Sequence, residues 1–268
     1  MKLLFIGDVI GKPGRQILAE RVRKLQRKYE VDFTVVNAEN SAGGRGITPA
    51  IVAETFALGV DVITSGNHIW AQSSIEQTLA EEARVLRPDN YPGSPPGSGL
   101  YMGLTRGGDA IAIVNLQGRV FMPPIDCPFA AMDRILEEIG SSTKLVFLDM
   151  HAEATSEKLS MGWYCDGRAT AVLGTHTHVP TADARILPAG TAYCTDVGMT
   201  GPYDSVIGTR PDLAIERLLT ARPIRFQVAS GGLAVAGVVV EADPETGQAT
   251  SIESFVDPPF GSGSDTDA

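Results

Sequence analysis

Apolar runs and helical stripes alternate through the first half of the chain. Lys2 to Gly7 is a short apolar run, and Phe33 to Asn37 is another. Between them, Leu18, Val22, Leu25 and Tyr29 recur at steps of three and four within a basic segment from Gly14 to Tyr29. This pattern predicts a strand, an amphipathic helix and a second strand, with the apolar stripe packed on a sheet. Arg21, Arg23, Lys24, Arg27 and Lys28 are then the solvated face of that helix rather than a nucleic-acid patch. Thr48 followed by Pro49 predicts the cap and first turn of a helix running to Leu58, with Val60 to Thr64 as the next strand.

The pattern changes from Asn90 to Leu116, where Gly- and Pro-rich turns separate Leu100 to Leu104 from Ala110 to Val114. Two short runs joined by such turns suit antiparallel pairing, which argues against a purely parallel sheet. Pro128 to Ile139 reads as a helix, and Lys144 to Asp149 and Ala169 to Leu173 as buried strands. The last third holds strands at Thr191 to Cys194 and Leu233 to Val240, with a helix at Pro211 to Thr220. The stretch from Gly261 to Asp265 has linker composition, so one domain is expected over residues 1–260 and a flexible tail over 261–268.

Composition narrows the function classes. With 43% hydrophobic and 20% charged residues, the 268-residue chain can bury a sizeable core. A formal charge of −10 disfavours nucleic-acid polymers as partners, since phosphate contacts need a surplus of Lys and Arg. The first apolar run is cut by Asp8, too early for a secretory signal, and no apolar stretch reaches the roughly 18 to 20 residues a membrane span needs. The expectation is a cytoplasmic protein with no membrane partner. Cys127, Cys165 and Cys194 are widely spaced and odd in number, which reads as free thiols rather than a disulfide or thiolate-metal framework.

The chemistry gathers at strand ends. All four histidines fall in Gly66-Asn67-His68, Met150-His151-Ala152 and Gly174-Thr175-His176-Thr177-His178, each just after an apolar run. Asp8 and the segment Asn37-Ala38-Glu39-Asn40 occupy the same kind of position. In open α/β sheets ligands bind outside the carboxyl ends of the strands, so these five segments can converge at one rim. Taken singly, Asp8 and Glu39 read as helix N-terminal carboxylates and His151 as a hydrogen-bonded structural histidine. Taken together, Asp8, Glu39, Asn40, Asn67, His151, His176 and His178 form a carboxylate, amide and imidazole set without thiolate. Such a set suits Fe, Mn or Zn.

Seven ligands exceed one open site but serve two ions if a carboxylate bridges, and Glu39 is the candidate bridge. With only two carboxylates the centre stays positive and can attract a phosphate ester. His176 and His178, as alternate residues of an extended segment, are expected to point to one side. His68 has two open readings, general acid for the leaving oxygen or a capping or core histidine. Gly7 to Lys12 lacks the spacing and the Ser or Thr of a phosphate-binding loop. Ser41 to Gly46 reads as a surface turn, with Arg45 reaching a phosphate as the alternative.

The set Gly7-Asp8, Asn37-Ala38-Glu39-Asn40, Gly66-Asn67-His68, His151 and Gly174-Thr175-His176-Thr177-His178 resembles the calcineurin-like metallophosphoesterase superfamily. More closely, Asn-Ala-Glu-Asn-Ser, Gly-Asn-His-Ile-Trp, His-Ala-Glu-Ala-Thr-Ser-Glu-Lys and Gly-Thr-His-Thr-His-Val are similar to its YmdB-like phosphodiesterase branch. The resemblance implies a four-layer α-β-β-α sandwich with two mixed sheets and a dinuclear centre, iron first, with manganese or zinc as alternatives. Asp8, Glu39, Asn40 and His178 would hold one ion, Glu39, Asn67, His151 and His176 the other, and His68 would be the proton donor. It further implies hydrolysis of 2',3'- or 3',5'-cyclic nucleotides by a metal-bridging hydroxide. Two departures from the broad superfamily stand out: Asp8-Val9-Ile10 lacks the usual second histidine, and Glu39 stands where Asp is common. The competing readings are a phosphomonoesterase and a non-enzymatic regulator that binds a nucleotide or partner. A homo-oligomer is compatible with all of them.

Overall fold

A computed structural model describes residues 1–260; the tail expected from Gly261 lies outside the described residues. The first half runs β1 (Lys2–Ile6), β2 (Asp8–Val9), α1 (Gly11–Tyr29), β3 (Phe33–Asn37), α2 (Pro49–Ala57), β4 (Val62–Thr64) and α3 (Ile75–Glu81). The middle runs β5 (Leu100–Leu104), β6 (Ala110–Gln117), α4 (Pro128–Ile139), β7 (Leu145–His151), α5 (Thr155–Tyr164) and β8 (Ala171–Thr175). The remainder comprises β9 (Arg185–Ile186), β10 (Ala192–Cys194), β11 (Met199–Pro202), α6 (Pro211–Thr220), β12 (Leu233–Ala242) and β13 (Ala249–Asp257).

Two sheets result. One has the order β2-β11-β12-β1-β3-β4, with β13 added on β12; the other has the order β5-β6-β7-β8-β10-β9. Both are mixed: β1 is parallel to β3 but antiparallel to β12, and β6 is parallel to β7 but antiparallel to β5. The antiparallel pair expected from the Gly- and Pro-rich region is therefore present.

Strand alternation sorts side chains into layers. In β1, Leu4 and Ile6 join a core with Ile17, Leu18, Val22 and Leu25 of α1 and with residues of α2 and α3. Leu3 and Phe5 turn the other way, onto Phe33, Val35, Ile111, Ile113, Leu145, Phe147 and Leu173 between the sheets. Val146 and Leu148 of β7 then face Met132, Ile135 and Ile139 of α4 and Met161 of α5. The order is helix, sheet, sheet, helix, as the resemblance implied. The Thr48 cap is also as expected, its hydroxyl accepting from Ile51 N. Among the described residues no helix is long and apolar enough to cross a membrane.

The same alternation places the functional residues. On the face between the sheets, Phe33 and Val35 are followed by Asn37, Ile111 and Ile113 by Asn115 and Gln117, and Phe147 by Asp149 and His151. The inter-sheet layer thus changes from apolar to polar at the carboxyl ends of its strands, and every one of these polar residues is buried. Buried polar groups need partners, so this end of the sandwich must be a hydrogen-bonded network or a ligand site.

Candidate metal centre

The network comes first. Asn37 donates its amide to Asp149 Oδ2 at 3.0 Å and accepts from the Glu39 backbone N at 3.2 Å. The side-chain amide of Asn115 clasps the Ser65 backbone, accepting from its N and donating to its carbonyl, each at 3.0 Å. These bonds shape the exits of β3 and β4, the two turns that carry Glu39, Asn40, Asn67 and His68. Glu39 is further held by the His68 backbone N, which donates to Oε2 at 2.9 Å.

The predicted ligands converge. His151 Nε2 lies 3.0 Å from Asn67 Oδ1, 3.1 Å from His176 Nδ1 and 3.2 Å from Glu39 Oε1. Ligand atoms of Glu39, His151 and His176 all fall within 4.8 Å of one another. A second group comprises Asp8, Asn40 and His178: His178 Nε2 is 3.7 Å from Asp8 Oδ1 and 3.2 Å from Asn40 Nδ2. Asn40 Oδ1 turns instead toward His68 Nδ1, at 2.7 Å. Glu39 Oε1 is also 3.2 Å from His68 Nδ1.

In His151, His176 and His178 the other ring nitrogen has a partner that fixes the tautomer. His178 Nδ1 meets the Ile207 carbonyl at 3.0 Å, and a carbonyl can only accept. His176 Nε2 faces the Glu153 carboxylate at 3.1 Å. His151 Nδ1 meets Thr175 Oγ1 at 2.9 Å, while that hydroxyl donates to Asp149 Oδ1 at 2.7 Å, so the ring must donate to it. All three imidazoles therefore carry N–H outward and can present a lone pair inward. Outer partners that fix ring orientation in this way are the usual support of a metal-bound histidine.

The electrostatics agree with a cation site. Around His151 Nε2 stand three acceptors, Asn67 Oδ1, Glu39 Oε1 and His176 Nδ1, so without an ion a proton must sit among them. Burial opposes charge on His151, but Glu39, Asp8 and Asp149 outweigh it and push its pKa up to about 9. Burial and the His151 charge drive His176 down to about 3. Burial also raises Asp149 to about 6 and raises Asp8 above its ordinary value. Glu39 is opposed by burial too, yet His151 and His68 hold it well below the usual carboxylate range. Asp8 Oδ1 is buried without a hydrogen-bond partner, and Glu39 Oε1, also buried, makes no aligned hydrogen bond although His151 Nε2 and His68 Nδ1 each stand 3.2 Å away. Two buried carboxylate oxygens without an aligned hydrogen bond, beside three imidazoles that can turn a lone pair inward, fit divalent or trivalent ions, whose charge would satisfy them.

One expectation needs correction. His176 and His178 do not lie on an extended segment; both have left-handed backbones, with φ of 91° and 64°. Their rings consequently diverge, His176 toward His151 and His178 toward Asp8, rather than pointing side by side. Gly66 has a steric reason: a Cβ there would stand 2.1 Å from the His151 ring. Sequence reasoning missed Thr175, Asp149, Asn37, Glu153 and the Ile207 carbonyl as supports. Counting alternate residues back from His151 would have found Asp149. Arg45 is exposed, with its carbonyl accepting from Gln72, as a surface turn should be. All three cysteines are free, with Cys165 and Cys194 buried.

The chain resembles known proteins over nearly its full length. It is 49% identical over 256 residues to a Bacillus subtilis protein named 2',3'-cyclic-nucleotide 2'-phosphodiesterase, covering 96% of this chain and 97% of that one. A crystal structure of a hypothetical protein from Thermus thermophilus superposes with a TM-score of 0.89 at 42% identity, covering 96% of this chain and 98% of that one. A structure described as a novel phosphatase, from Mycoplasma pneumoniae, superposes with a TM-score of 0.90 at 35% identity, over 96% and 92% of the two chains. The model of the family described as YmdB-like protein matches residues 4–255, and the chain belongs to that family.

Proposed function

We propose that this chain, acting as one domain over residues 1–260, is a metal-dependent phosphodiesterase with two ions at the rim and a small cyclic nucleotide as substrate. The observation that carries the reading is the pair of buried carboxylate oxygens, Asp8 Oδ1 and Glu39 Oε1, that make no aligned hydrogen bond and lie beside three imidazoles able to turn a lone pair inward. The Bacillus subtilis relative's name points to 2',3'-cyclic nucleotides as the substrate class. Asp8, Glu39, Asn40 and His178 would hold one ion, and Glu39, Asn67, His151 and His176 the other. Glu39, 3.2 Å from His151 and next in the chain to Asn40, which contacts His178, would be the ligand common to both ions. The thiolate-free set of carboxylates, amides and imidazoles suits iron, manganese or zinc, and iron is the ion proposed.

Bound there, the ions would supply an activated water and positive charge against the phosphoryl oxygens. The chain's own groups do the rest. Asp8 and Glu39 are the only carboxylates among the proposed ligands, and the amides of Asn40 and Asn67 add donors without cancelling charge, so an anion is attracted. His68 turns Nδ1 toward Asn40 and Glu39, which leaves Nε2 to hand a proton to the leaving oxygen. Its side chain is 26% exposed, open enough for a substrate to reach. Binding by the dianion of a monoester would ask for more positive charge than this site has, so the diester is favoured.

The test is a substrate panel on metal-loaded protein: 2',3'-cAMP, 3',5'-cAMP, bis-p-nitrophenyl phosphate and p-nitrophenyl phosphate, with metal content measured in parallel. Two ions per chain, and turnover of diesters lost in Asn67→Ala and reduced in His68→Ala, are expected. Equal, slow hydrolysis by all three proteins would sink the catalytic reading in favour of a binding role.

A further inference from the structure

His176 and His178 are separated by Thr177, and that residue is gripped from behind. Its backbone N and its hydroxyl both donate to Asp196 Oδ2, at 3.1 and 2.5 Å. The other carboxylate oxygen of Asp196 accepts from Gly198 N at 2.8 Å. Lys158 Nζ, from α5, completes the group, donating to Asp196 Oδ2 at 2.9 Å and to Thr177 Oγ1 at 3.2 Å. The side chains of Lys158 and Asp196 are both 0% exposed.

Two features of this group need a reason beyond stability. Burying an ion pair removes both charges from water, and well-packed apolar residues often serve as well or better. The left-handed conformations of His176 and His178 are unfavourable for residues with a Cβ and persist only where surrounding bonds over-determine them. Asp196 supplies that constraint by holding the intervening peptide. Asp8 Oδ2 adds to it, accepting from the His176 backbone N at 3.2 Å. With Thr177 held, one ring is directed to the His151 side of Glu39 and the other to the Asp8 side.

We propose that Lys158, Asp196 and Thr177 form a buried positioning clamp that divides His176 and His178 between the two cation positions. The Thr177 hydroxyl then governs metal affinity without touching metal. The inference rests on the metal-centre reading above. It concerns positioning residues: Lys158, Asp196 and Thr177 are bonded to one another, and the clamp acts through the backbone between two ligands.

The experiment titrates the metal-free, full-length chain with Mn²⁺, reading free Mn²⁺ by electron paramagnetic resonance, for wild type, Thr177→Val, Thr177→Ser and Asp196→Asn. Thr177→Val keeps the shape and removes the hydroxyl; it should weaken Mn²⁺ binding by about 10- to 100-fold, the usual loss for an outer-shell partner. Thr177→Ser restores the hydroxyl and should bind like wild type, and Asp196→Asn should weaken binding even where Thr177→Val folds poorly. Wild-type affinity in Thr177→Val, or an equal loss in Thr177→Ser, overturns the clamp while leaving the metal centre intact. A wild-type chain that binds no Mn²⁺ overturns both.

Discussion

Replacing Gly66 by alanine tests the centre through packing alone. Gly66 has no left-handed backbone requirement, so the added methyl brings no dihedral strain. It does bring a collision: its carbon would stand 2.1 Å from His151 Cδ2 and Nε2, where ordinary contact begins near 3.4 Å. The imidazole or the β4 exit must therefore retreat by roughly 1.3 Å in a close-packed interior. The ring has nowhere easy to go, being fully buried, bonded at Nδ1 to Thr175 and packed 4.8 Å from the His176 ring centroid.

Overpacking of this kind costs about 1–3 kcal/mol. A shift of about 1 Å in a reacting or ligating group costs about a hundredfold in rate. Gly66→Ala is thus expected to lose both stability, by urea denaturation of metal-free protein, and activity. The double mutant separates the clash from a general weakening of β4. Removing the ring opens room for the methyl, so His151→Ala should be less costly by at least about 1 kcal/mol in the alanine-66 background than in the glycine-66 one. Costs that add to within about 0.5 kcal/mol, as independent sites do, would refute the assigned contact.

Three further predictions follow from individual groups. Glu153→Ala removes the acceptor on His176 Nε2 from a half-exposed position, so the fold should persist while Zn²⁺ affinity, by competition titration, falls about tenfold or more. In the metal-free chain His151 is raised from 6.5 to about 9, so its charged form contributes stability fully below pH 6.5 and loses it as pH rises through 9. Glu39, depressed, stays ionised throughout that window. A metal must displace the His151 proton, so apparent affinity should rise with pH up to about 9 and then level, with proton release seen by calorimetry in two buffers; affinity flat between pH 6.5 and 9 would contradict this. Burial raises the Cys165 and Cys194 thiols to about 12 and about 11. Iodoacetamide at pH 8 should therefore modify Cys127 alone in native protein and all three cysteines after denaturation, as counted by mass spectrometry.

Elements with a clean apolar period were readable in advance: α1, α2, α4 and α6, and the strands β1, β3, β7, β8 and β12. Helix α5 was not, because Glu157 and Lys158 interrupt its apolar stripe. Both turn out to be buried with partners, Glu157 accepting from Arg119 N and Val120 N, and Lys158 bound to Asp196. Strand β13 was hidden by composition, since its residues are mostly exposed or half-exposed and its ladder with β12 is made by backbone groups. At the site, each imidazole was legible from its place after an apolar run, but its outer partner was not. Thr175, Glu153 and the Ile207 carbonyl are brought to the rings of His151, His176 and His178 respectively by folding, each from another stretch of chain.

By itself the sequence determined which residues could meet. Period-two runs ending in Asp, Glu, Asn and His put the ligand chemistry at strand ends, and sheet topology sends strand ends to a common rim. The tertiary structure decided which atoms face inward. The lone-pair directions of His151, His176 and His178 depend on Thr175, Glu153 and Ile207, each from a different contact. The divergence of His176 and His178 depends on two left-handed backbones that no side chain of theirs favours and that Asp196 holds in place. Such orientations are long-range properties: they arise from packing and hydrogen bonds between segments distant in sequence, where local periodicity carries no information.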